Sequence, residues 1–413
     1  MEGARIMGKS AELKAANAQM CEYELRKGDP SIPIETQNLS FQYSNQKTPI
    51  IENISIKIQQ GEFILLVGPT GSGKTTFVRC FNGLVPYFYS GNFCGYVFIK
   101  GKDTVGCKIP ELSKDVGMVF QNPENQLVSM NITRELAFGP ENIGMKREEI
   151  LIQVEKSAKY VHITDLLSKS PFYLSGGEQQ RVAIASVLAM NPSIMIFDEP
   201  TSNLDPISAL SIIKLLKQIS VEQKITIIVI EHRMELVIPF ADSMIILNKG
   251  KMVVYDSLPK IFYKKLIFEL GLKIPRYIEL LYLLKSKNND SISLPLTIEE
   301  AKMQFKQLIS KMLPQLEKKL NEKMKSIMPC SNKQIAIQFR NVFFSYDDKN
   351  QRKGNYVLKN LNFDLFQGQV VGIIGKNGAG KSTTVRLMNG LRNPSSGTVY
   401  IFGKDTRDYS QNE

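Results

Sequence analysis

Two metal-binding residue types are scarce in this sequence, and their scarcity argues against a metal centre built from them. Among 413 residues, histidine occurs only as His162 and His232, which argues against a zinc site. Tryptophan is absent. The cysteines form no CxxC pair, so we expect free thiols in a reducing compartment rather than disulfides. The five cysteines are Cys21, Cys80, Cys94, Cys107 and Cys330.

Long hydrophobic runs are also missing. No uninterrupted apolar run approaches the ~18 residues that a membrane span needs. The apolar stretch 261–284 is interrupted by lysines, an arginine and Pro275, and the N-terminus lacks the apolar core of a signal peptide. Any membrane role is therefore expected to come through partner subunits.

The overall composition is that of a globular protein. Hydrophobic residues make up 43% and charged residues 22% of the chain, which allows a sizeable buried core. The formal net charge of +12 suggests an anionic partner, which would be a nucleotide, a nucleic acid or an acidic membrane surface.

Changes of pattern along the chain predict its domains. Residues 1–32 are polar and are expected to form an N-terminal extension. Residues 33–258 alternate short β-branched runs with helical segments, which predicts an α/β domain with a mainly parallel sheet. Residues 259–335 have mixed charge and a helical pattern, and we interpret them as a helical linker.

An internal repeat links the two ends of the chain. The segment 39–76, which ends in GPTGSGKTT, recurs as 342–384, which ends in GKNGAGKSTT. Residues 336–413 are therefore predicted to be the N-terminal part of a second copy of the first domain. Because the first copy needs over 200 residues to reach its last motif, we expect the second copy to be incomplete and the chain to be a fragment.

The repeated glycine-rich segment carries a phosphate-loop pattern. GPTGSGKT fits GxxxxGK[ST] between a strand and a helix, where backbone N–H groups cradle phosphate oxygens. Lys74 would reach the β- and γ-phosphates of ATP and Thr75 would hold Mg²⁺. A simple glycine-rich turn before a helix is the other interpretation. The predicted ATP-binding residues are Gly68, Pro69, Thr70, Gly71, Ser72, Gly73, Lys74, Thr75 and Thr76, and in the second copy Gly375, Lys376, Asn377, Gly378, Ala379, Gly380, Lys381, Ser382 and Thr383.

Two carboxylates follow an apolar strand in SIMIFDEP. Asp198 is suited to Mg²⁺, because that cation prefers hard oxygen ligands. Glu199 is suited to polarising an attacking water as a general base. A solvated turn would also place such a pair at a strand end, but the preceding phosphate loop favours the catalytic interpretation.

The segment 174–205, which begins LSGGEQQR and contains FDEPTSNLD, resembles the signature and Walker B region of ATP-binding cassette (ABC) ATPases. The resemblance implies an α/β P-loop NTPase fold with a mixed sheet and an α-helical signature subdomain, followed by a helical linker and the start of a second copy. It further implies that the signature contacts a nucleotide held by the opposite cassette. The signature residues are Leu174, Ser175, Gly176, Gly177 and Glu178.

Four further positions resemble family motifs. The resemblance implies that Gln121 is the Q-loop glutamine, which contacts Mg²⁺ and water, and that His232 is the catalytic switch histidine. It implies that Asp205 is the D-loop aspartate at the cassette interface and that Tyr43 stacks on adenine. The alternatives are a loop glutamine, a core histidine, a turn-capping aspartate and a core strand aromatic residue, respectively.

Within the family, the chain is similar to the ATPases of cobalt and energy-coupling-factor importers, particularly the fused two-cassette members. FNGLVPYFYSG and FQNPENQLVSMNITRELAFGPENIG carry this similarity. It implies cassette–cassette dimerisation, an integral membrane energy-coupling subunit, a separate substrate-binding membrane subunit and a location on the cytoplasmic face of the membrane. The implied cofactors are ATP and Mg²⁺, and the implied cargo is a vitamin or a transition-metal ion.

Tandem cassettes also occur in translation factors that act on the ribosome, and a charge of +12 would suit RNA. Those proteins usually carry a charged helical arm in the first cassette. The short interval between Lys74 and Gln121 leaves no room for a long arm. We therefore expect no nucleic-acid partner.

Overall fold

The computed structural model describes residues 24–262, 270–288, 295–306, 334–346, 356–375 and 378–409. The chain divides into two compact units, Met1–Leu308 and Ile309–Glu413. Most of the predicted N-terminal extension, residues 1–23, lies outside the described residues. The predicted domain bounds themselves stay predictions.

Among its described residues, the first unit contains ten strands that form two sheets. The strands are β1 (Ile34–Tyr43), β2 (Ile51–Ile58), β3 (Phe63–Val67), β4 (Gly91–Ile99), β5 (Lys102–Asp103), β6 (Val116–Val119), β7 (Ile194–Asp198), β8 (Thr226–Ile230), β9 (Ser243–Asn248) and β10 (Lys251–Ser257). The helices are α1 (Lys74–Arg79), α2 (Leu84–Tyr87), α3 (Ile109–Leu112), α4 (Ile132–Asn142), α5 (Arg147–Tyr160), α6 (Gly176–Leu188), α7 (Pro206–Gln223), α8 (Met234–Val237), α9 (Leu258–Phe262) and α10 (Arg276–Asn288).

The central sheet has the strand order β10-β9-β3-β8-β7-β6. All pairings are parallel except that of β10 with β9, so the predicted mixed α/β fold is confirmed. Every residue of β3, sequence FILLV, is buried, because this strand lies between two neighbours and is covered on both faces. Continuous apolar runs are typical of such strands.

Successive side chains of β3 serve two different cores. Ile64 and Leu66 join a cluster with the antiparallel sheet β2-β1-β4-β5 and with Phe77 of α1. Leu65 and Val67 point to the opposite face and join the helices there. The period of two in a strand thus places one antiparallel layer and one helical layer on opposite faces of the central sheet.

The helical layer is assembled from α4 to α7 and has clear start signals. The side chain of Asn131 accepts a hydrogen bond from the N–H of Arg134 at 2.9 Å and caps α4. Asp205 caps α7 through the N–H groups of Ile207 and Ser208. Such caps satisfy backbone donors that a helix leaves unpaired at its N-terminus.

Part of the predicted linker packs on the first unit. The described residues 276–288 and 298–306 are helical, as the pattern predicts. Ile278 and Leu281 are fully buried in the same core as the helical layer, and Ala301 is almost fully buried there. These residues are therefore part of the first compact unit.

The second unit repeats the antiparallel layer of the first. Its strands are β11 (Ile335–Phe344), β12 (Leu358–Phe366), β13 (Ser396–Ile401) and β14 (Lys404–Asp405), in the order β12-β11-β13-β14, and its helix is α11 (Lys381–Met388). The residues 370–374, which precede the second glycine-rich loop as β3 precedes the first, form no strand. Val370 is 99% and Ile374 is 95% exposed. In the first unit, the neighbours of β3 are β8 and β9, which come much later in the chain.

The expectation that the cysteines form no disulfides is confirmed for Cys80 and Cys107 and is wrong for Cys94, which is disulfide-bonded. Its partner lies outside the described residues. The spacing of cysteines in sequence excludes only local pairs, because distant segments are brought together by the fold.

Within the described ranges, no helix combines the length and the hydrophobicity that crossing a bilayer requires. This agrees with the absence of long apolar runs in the sequence.

We predict that Val67→Ala lowers the free energy of unfolding of the first unit by about 2 kcal/mol, because buried methyl groups are lost and a cavity forms. Ile374→Ala, at the corresponding exposed position of the second copy, is expected to stay within about 0.5 kcal/mol of the parent. Urea unfolding followed by circular dichroism measures both. Equal losses would contradict the assignment of β3 as the buried centre of the sheet.

Candidate functional site

The first glycine-rich loop connects the end of β3 to the start of α1. Gly73 has φ +95°, and a Cβ there would lie 2.5 Å from the carbonyl oxygen of Ile50. A Cβ on Gly68 would lie 2.1 Å from the carbonyl oxygen of Leu247. Both positions therefore require glycine, and the loop is held against neighbouring backbone from two sides.

Lys74 lies inside the curl of this loop. Its Nζ donates to the carbonyl oxygens of Gly68 at 2.9 Å and Pro69 at 3.1 Å. Burial lowers the pKa of the Lys74 ammonium, while the carboxylates of Glu199 and Asp198 oppose that shift. The hydroxyl of Ser72 in the same loop is buried and has no hydrogen-bond partner among the described residues. A cationic side chain and an unpaired hydroxyl fit a phosphate group.

Thr75 and Asp198 form a pair of oxygen ligands at the end of the loop. The Thr75 hydroxyl donates to Oδ1 of Asp198 at 3.4 Å. Burial raises the pKa of the Asp198 carboxyl, although this hydrogen bond from Thr75 lowers it. A buried carboxylate beside a hydroxyl suits Mg²⁺, which binds proteins through few oxygen ligands and completes its shell with phosphates and water. The residues present therefore fit that cation.

The other two predicted catalytic residues, Gln121 and His232, both contact Glu199. Nε2 of Gln121 donates to its Oε2 at 2.8 Å, and Nε2 of His232 lies 3.1 Å from its Oε1. Glu199 has φ +51°, an uncommon backbone conformation for a residue with a side chain. Its N–H donates to the carbonyl oxygen of Ile230 at 3.0 Å, which ties it to the end of β8. Strained conformations of this kind concentrate at functional sites.

Tyr43 lies beside the loop. Its hydroxyl forms a hydrogen bond with that of Thr76 at 2.9 Å, and its ring meets Phe41 edge to face at 4.9 Å. The second unit reproduces this pair, since the hydroxyls of Tyr346 and Thr383 are also 2.9 Å apart. The stacking of Tyr43 on adenine stays a prediction, but the ring lies next to the loop that would hold the phosphates.

The described part of the second loop resembles the first. Nζ of Lys381 donates to the carbonyl oxygen of Gly375 at 2.8 Å, as Lys74 does to Gly68. Gly380 has φ +83° immediately before α11. Gly378, Ala379 and Ser382 lie in the same described stretch. The predicted positions Lys376 and Asn377 lie outside the described residues.

The signature residues form a capped helix start apart from the phosphate loop. The N–H and the hydroxyl of Ser175 donate to Oε2 of Glu178 at 2.8 and 2.7 Å, and these bonds lower the pKa of that carboxyl. Leu174 precedes the helix, while Gly176, which is exposed, and Gly177, which is half-buried, begin its first turn. Among the described residues, no hydrogen bond joins this segment to Gly68–Thr75. A role toward a second cassette stays a prediction.

Three residues near the site, Thr201, Glu231 and Arg233, were not predicted from the sequence. Glu231 is 3% exposed and accepts hydrogen bonds from the N–H groups of His232 and Arg233, and from the hydroxyl of Thr201. Arg233 donates to the carbonyl oxygens of Thr201 and Leu204. An acidic residue at the end of an apolar strand, in IVIEHR, was the available sequence signal.

Several known proteins are similar to this chain. The family model for the ABC transporter matches residues 51–202 and 358–413. A protein of Methanosarcina mazei, provisionally named an ABC transporter ATP-binding protein, is 36% identical over 92% of this chain and 64% of its own length. A protein of Caldanaerobacter subterraneus subsp. tengcongensis with the same kind of name is 35% identical over 91% of this chain and 65% of its own length. The chain thus spans slightly less than two thirds of these relatives.

A solved structure is also similar. cbiO1 from Clostridium perfringens, described as part of the ABC transporter complex cbiONQ, is 31% identical with a TM-score of 0.52. The match covers 61% of this chain and 99% of that one.

We predict that Asp198→Asn keeps the stability of the free protein but weakens its stabilisation by Mg²⁺ and ATP. The folded carboxyl holds its proton more tightly than an unfolded one, so the unliganded parent loses stability as the pH rises above the ordinary value of 3.8. The variant lacks this loss and should be at least as stable without nucleotide at pH 7. With Mg²⁺ and ATP at 100 times the Kd, the parent gains about 2.7 kcal/mol and the variant much less.

Thermal and urea unfolding with and without Mg²⁺ and ATP measure this difference. A variant that is less stable than the parent without nucleotide, or that gains as much from the ligand, would contradict the role of Asp198.

Proposed function

The chain belongs to the ABC transporter family, and from this premise we propose that it binds and hydrolyses ATP to energise a membrane importer of the cobalt or energy-coupling-factor type. The single observation that carries the proposal is the convergence of Gln121 and His232 on Glu199, at the edge of the sheet where Lys74 and Thr75 also lie. Vitamins and transition-metal ions are the proposed class of cargo.

Nucleotide binding is proposed to use the loop Gly68–Thr75. Its backbone N–H groups and Lys74 would hold the phosphates, and Thr75 with Asp198 would hold Mg²⁺. When bound, that cation neutralises developing charge on the phosphate oxygens. Tyr43 is proposed to cover the adenine. The second loop, with Lys381 and Ser382, is proposed to bind a second nucleotide in the same way.

Hydrolysis requires a water molecule aligned with the terminal phosphate. We propose that the Glu199 carboxylate accepts a hydrogen bond from that water and orients it for attack. His232 and Gln121, which both contact Glu199, would hold the carboxylate in place and take part in the same hydrogen-bond network. We propose that a second cassette closes the site and excludes water, because its signature residues would cover the phosphates bound here. In return, Ser175 and Glu178 of this unit would cover the phosphates bound by the second cassette.

A groove beside Gln121 supports docking of a membrane subunit. Its cavity of about 310 Å³ is lined by Met118, Phe120, Phe138 and Met190, among others. Phe120 is 38% and Phe138 is 51% exposed, so apolar surface is available at the groove mouth. An apolar cleft next to the residue that senses the nucleotide suits a short helix of a partner. The description of cbiO1 as part of a transporter complex favours the same arrangement.

These features together support a peripheral position on the cytoplasmic face of the membrane. An energy-coupling membrane subunit would occupy the groove, and a separate membrane protein would bind the cargo. The proposal includes no nucleic-acid partner.

We predict that Glu199→Gln lowers the ATPase kcat by at least about 100-fold and leaves ATP binding intact, because the amide cannot accept the proton from water. The variant should retain ATP unhydrolysed. Phosphate release and filter retention of labelled ATP measure these quantities. Glu148→Gln on the exposed surface of α5 is the control and should match the parent. Parental turnover in Glu199→Gln would refute the assignment.

We predict that Phe138→Glu leaves basal ATPase activity unchanged but weakens the stimulation by membrane subunits about 10-fold or more. Leu151→Glu, a similarly exposed apolar position outside the groove, should keep the stimulation. The assay reconstitutes the chain in lipid vesicles with an energy-coupling membrane subunit and a substrate-binding membrane subunit. Stimulation by ribosomes that falls steeply with salt, without stimulation by the membrane proteins, would instead favour the translation-factor class.

A further inference from the structure

A buried carboxylate immediately precedes the predicted switch histidine in the chain. Glu231 follows β8 and precedes His232, and it is 3% exposed. Burying a carboxylate is costly unless its oxygens receive hydrogen bonds. A well-packed apolar residue would avoid that cost, so the hydrogen bonds that Glu231 makes indicate what it holds in place.

Each oxygen of Glu231 holds a different segment. Oε1 accepts from the N–H of His232 at 3.0 Å and from the N–H of Arg233 at 3.1 Å. Oε2 accepts from the hydroxyl of Thr201, which is itself fully buried. One side chain therefore links the backbone of the histidine segment to the segment that follows Glu199.

A second link runs in the opposite direction. The Arg233 guanidinium donates to the carbonyl oxygen of Thr201, and to that of Leu204 at 3.3 Å. The N–H of Leu204 donates to the carbonyl oxygen of Thr201 at 3.1 Å, which closes the segment into a turn. The residues 201–204 and 231–233 are thus joined through both side chains and backbone.

The turn 201–204 has one anchored end and one solvent-facing part. Thr201 is fully buried, whereas Ser202 and Asn203 are exposed. Nδ2 of Asn203 donates to Oδ1 of Asn122, next to Gln121, at 3.1 Å. A contact made on the exposed part of this turn can therefore reach both side chains that converge on Glu199.

We propose that Glu231 is a positioning residue that holds His232 against Glu199 and ties that histidine to the turn 201–204. Displacement of the turn by a second cassette would move the backbone of His232 through Glu231 and Thr201. The water-organising pair would then be aligned only when the turn is in its bound position. This inference rests on the proposed ATPase function.

The chemistry of substitutions separates this role from simple packing. In Glu231→Gln, one oxygen can still accept from the two backbone N–H groups, but the Thr201 hydroxyl loses its carboxylate acceptor, and the amide NH2 can only donate to that hydroxyl in a weaker neutral bond. Thr201→Val removes the same hydroxyl-to-carboxylate bond from the other side with little change of volume. Thr201→Ser keeps the hydroxyl and should recover most of what Thr201→Val loses.

Thr226→Val is the matched control. Thr226 is fully buried at the start of β8, and Glu231 follows the end of the same strand. The Thr226 hydroxyl accepts from the N–H of Gly61 at 3.0 Å. Thr226 begins β8, whereas His232 lies beyond the other end of that strand. This variant is expected to lose stability without loss of kcat.

The first experiment measures ATPase kcat and KM with the full chain. We expect Glu231→Gln and Thr201→Val each to lower kcat by about 10-fold and to leave KM for ATP within about twofold. Their double variant should lose little more than either single variant, because both remove one shared interaction. If both kcat values fall no further than that of Thr226→Val, the positioning role is wrong while the ATPase function stands.

The second experiment does not depend on hydrolysis. The chain has two histidines, so ¹³C-labelled histidine gives two side-chain signals, and His162→Gln assigns that of His232. In the parent, Glu199→Gln should shift the His232 signal, whereas in the Glu231→Gln or Thr201→Val background the shift should shrink by at least about half. An undiminished shift overturns the inference. A parent chain without ATPase activity would sink the proposed function instead, and the signal would still decide the position of His232.

Discussion

The burial of β3 between β8 and β9 is the constraint on which the rest of the first unit depends. Its five apolar residues fill both cores, so the strand can occupy only the middle of the sheet. Because β3, β7 and β8 run parallel, their carboxyl ends meet at one edge. The loop Gly68–Thr75, the pair Asp198 and Glu199, and His232 each follow one of these strands, and they therefore converge although they are distant in sequence.

The site formed at that edge holds ionisable groups whose burial opposes their charged forms. Burial lowers the pKa of Lys74 and raises that of Asp198, so the unliganded protein disfavours both charged forms. Glu199 adds a backbone conformation with positive φ. An anionic nucleotide and a divalent cation would supply the missing opposite charges. A site of this kind trades stability of the free protein for affinity, as functional sites commonly do.

The two repeated segments show which contacts depend on nearby sequence and which depend on distant parts of the chain. Lys74 and Lys381 form corresponding hydrogen bonds with the glycine that begins their loop, and the tyrosine–threonine pairs have the same distance. The lysine contacts are formed within one short stretch, and the tyrosine–threonine pairs join residues 33 and 37 positions apart inside the repeated segment, so both need little from the rest of the domain. The residues 370–374 show the opposite behaviour. Four of these five residues are apolar, but a parallel strand requires partners that are supplied from elsewhere in the chain, and they form no strand.

The sequence by itself determined the α/β class, the glycine-rich loops, the strand-end carboxylates and the family, because each depends on residue types at fixed short spacings. It also identified Gln121 and His232, although only by resemblance. Tertiary structure alone decided that both side chains meet at Glu199, that Asp205 caps a helix and that Cys94 has a disulfide partner. It also decided the hydrogen-bond partners of Glu231, whose sequence context shows an acidic residue but not the hydroxyl of Thr201 that donates to it. These contacts join segments that are far apart in the chain, and only the packing of the parallel strands brings them within hydrogen-bond distance.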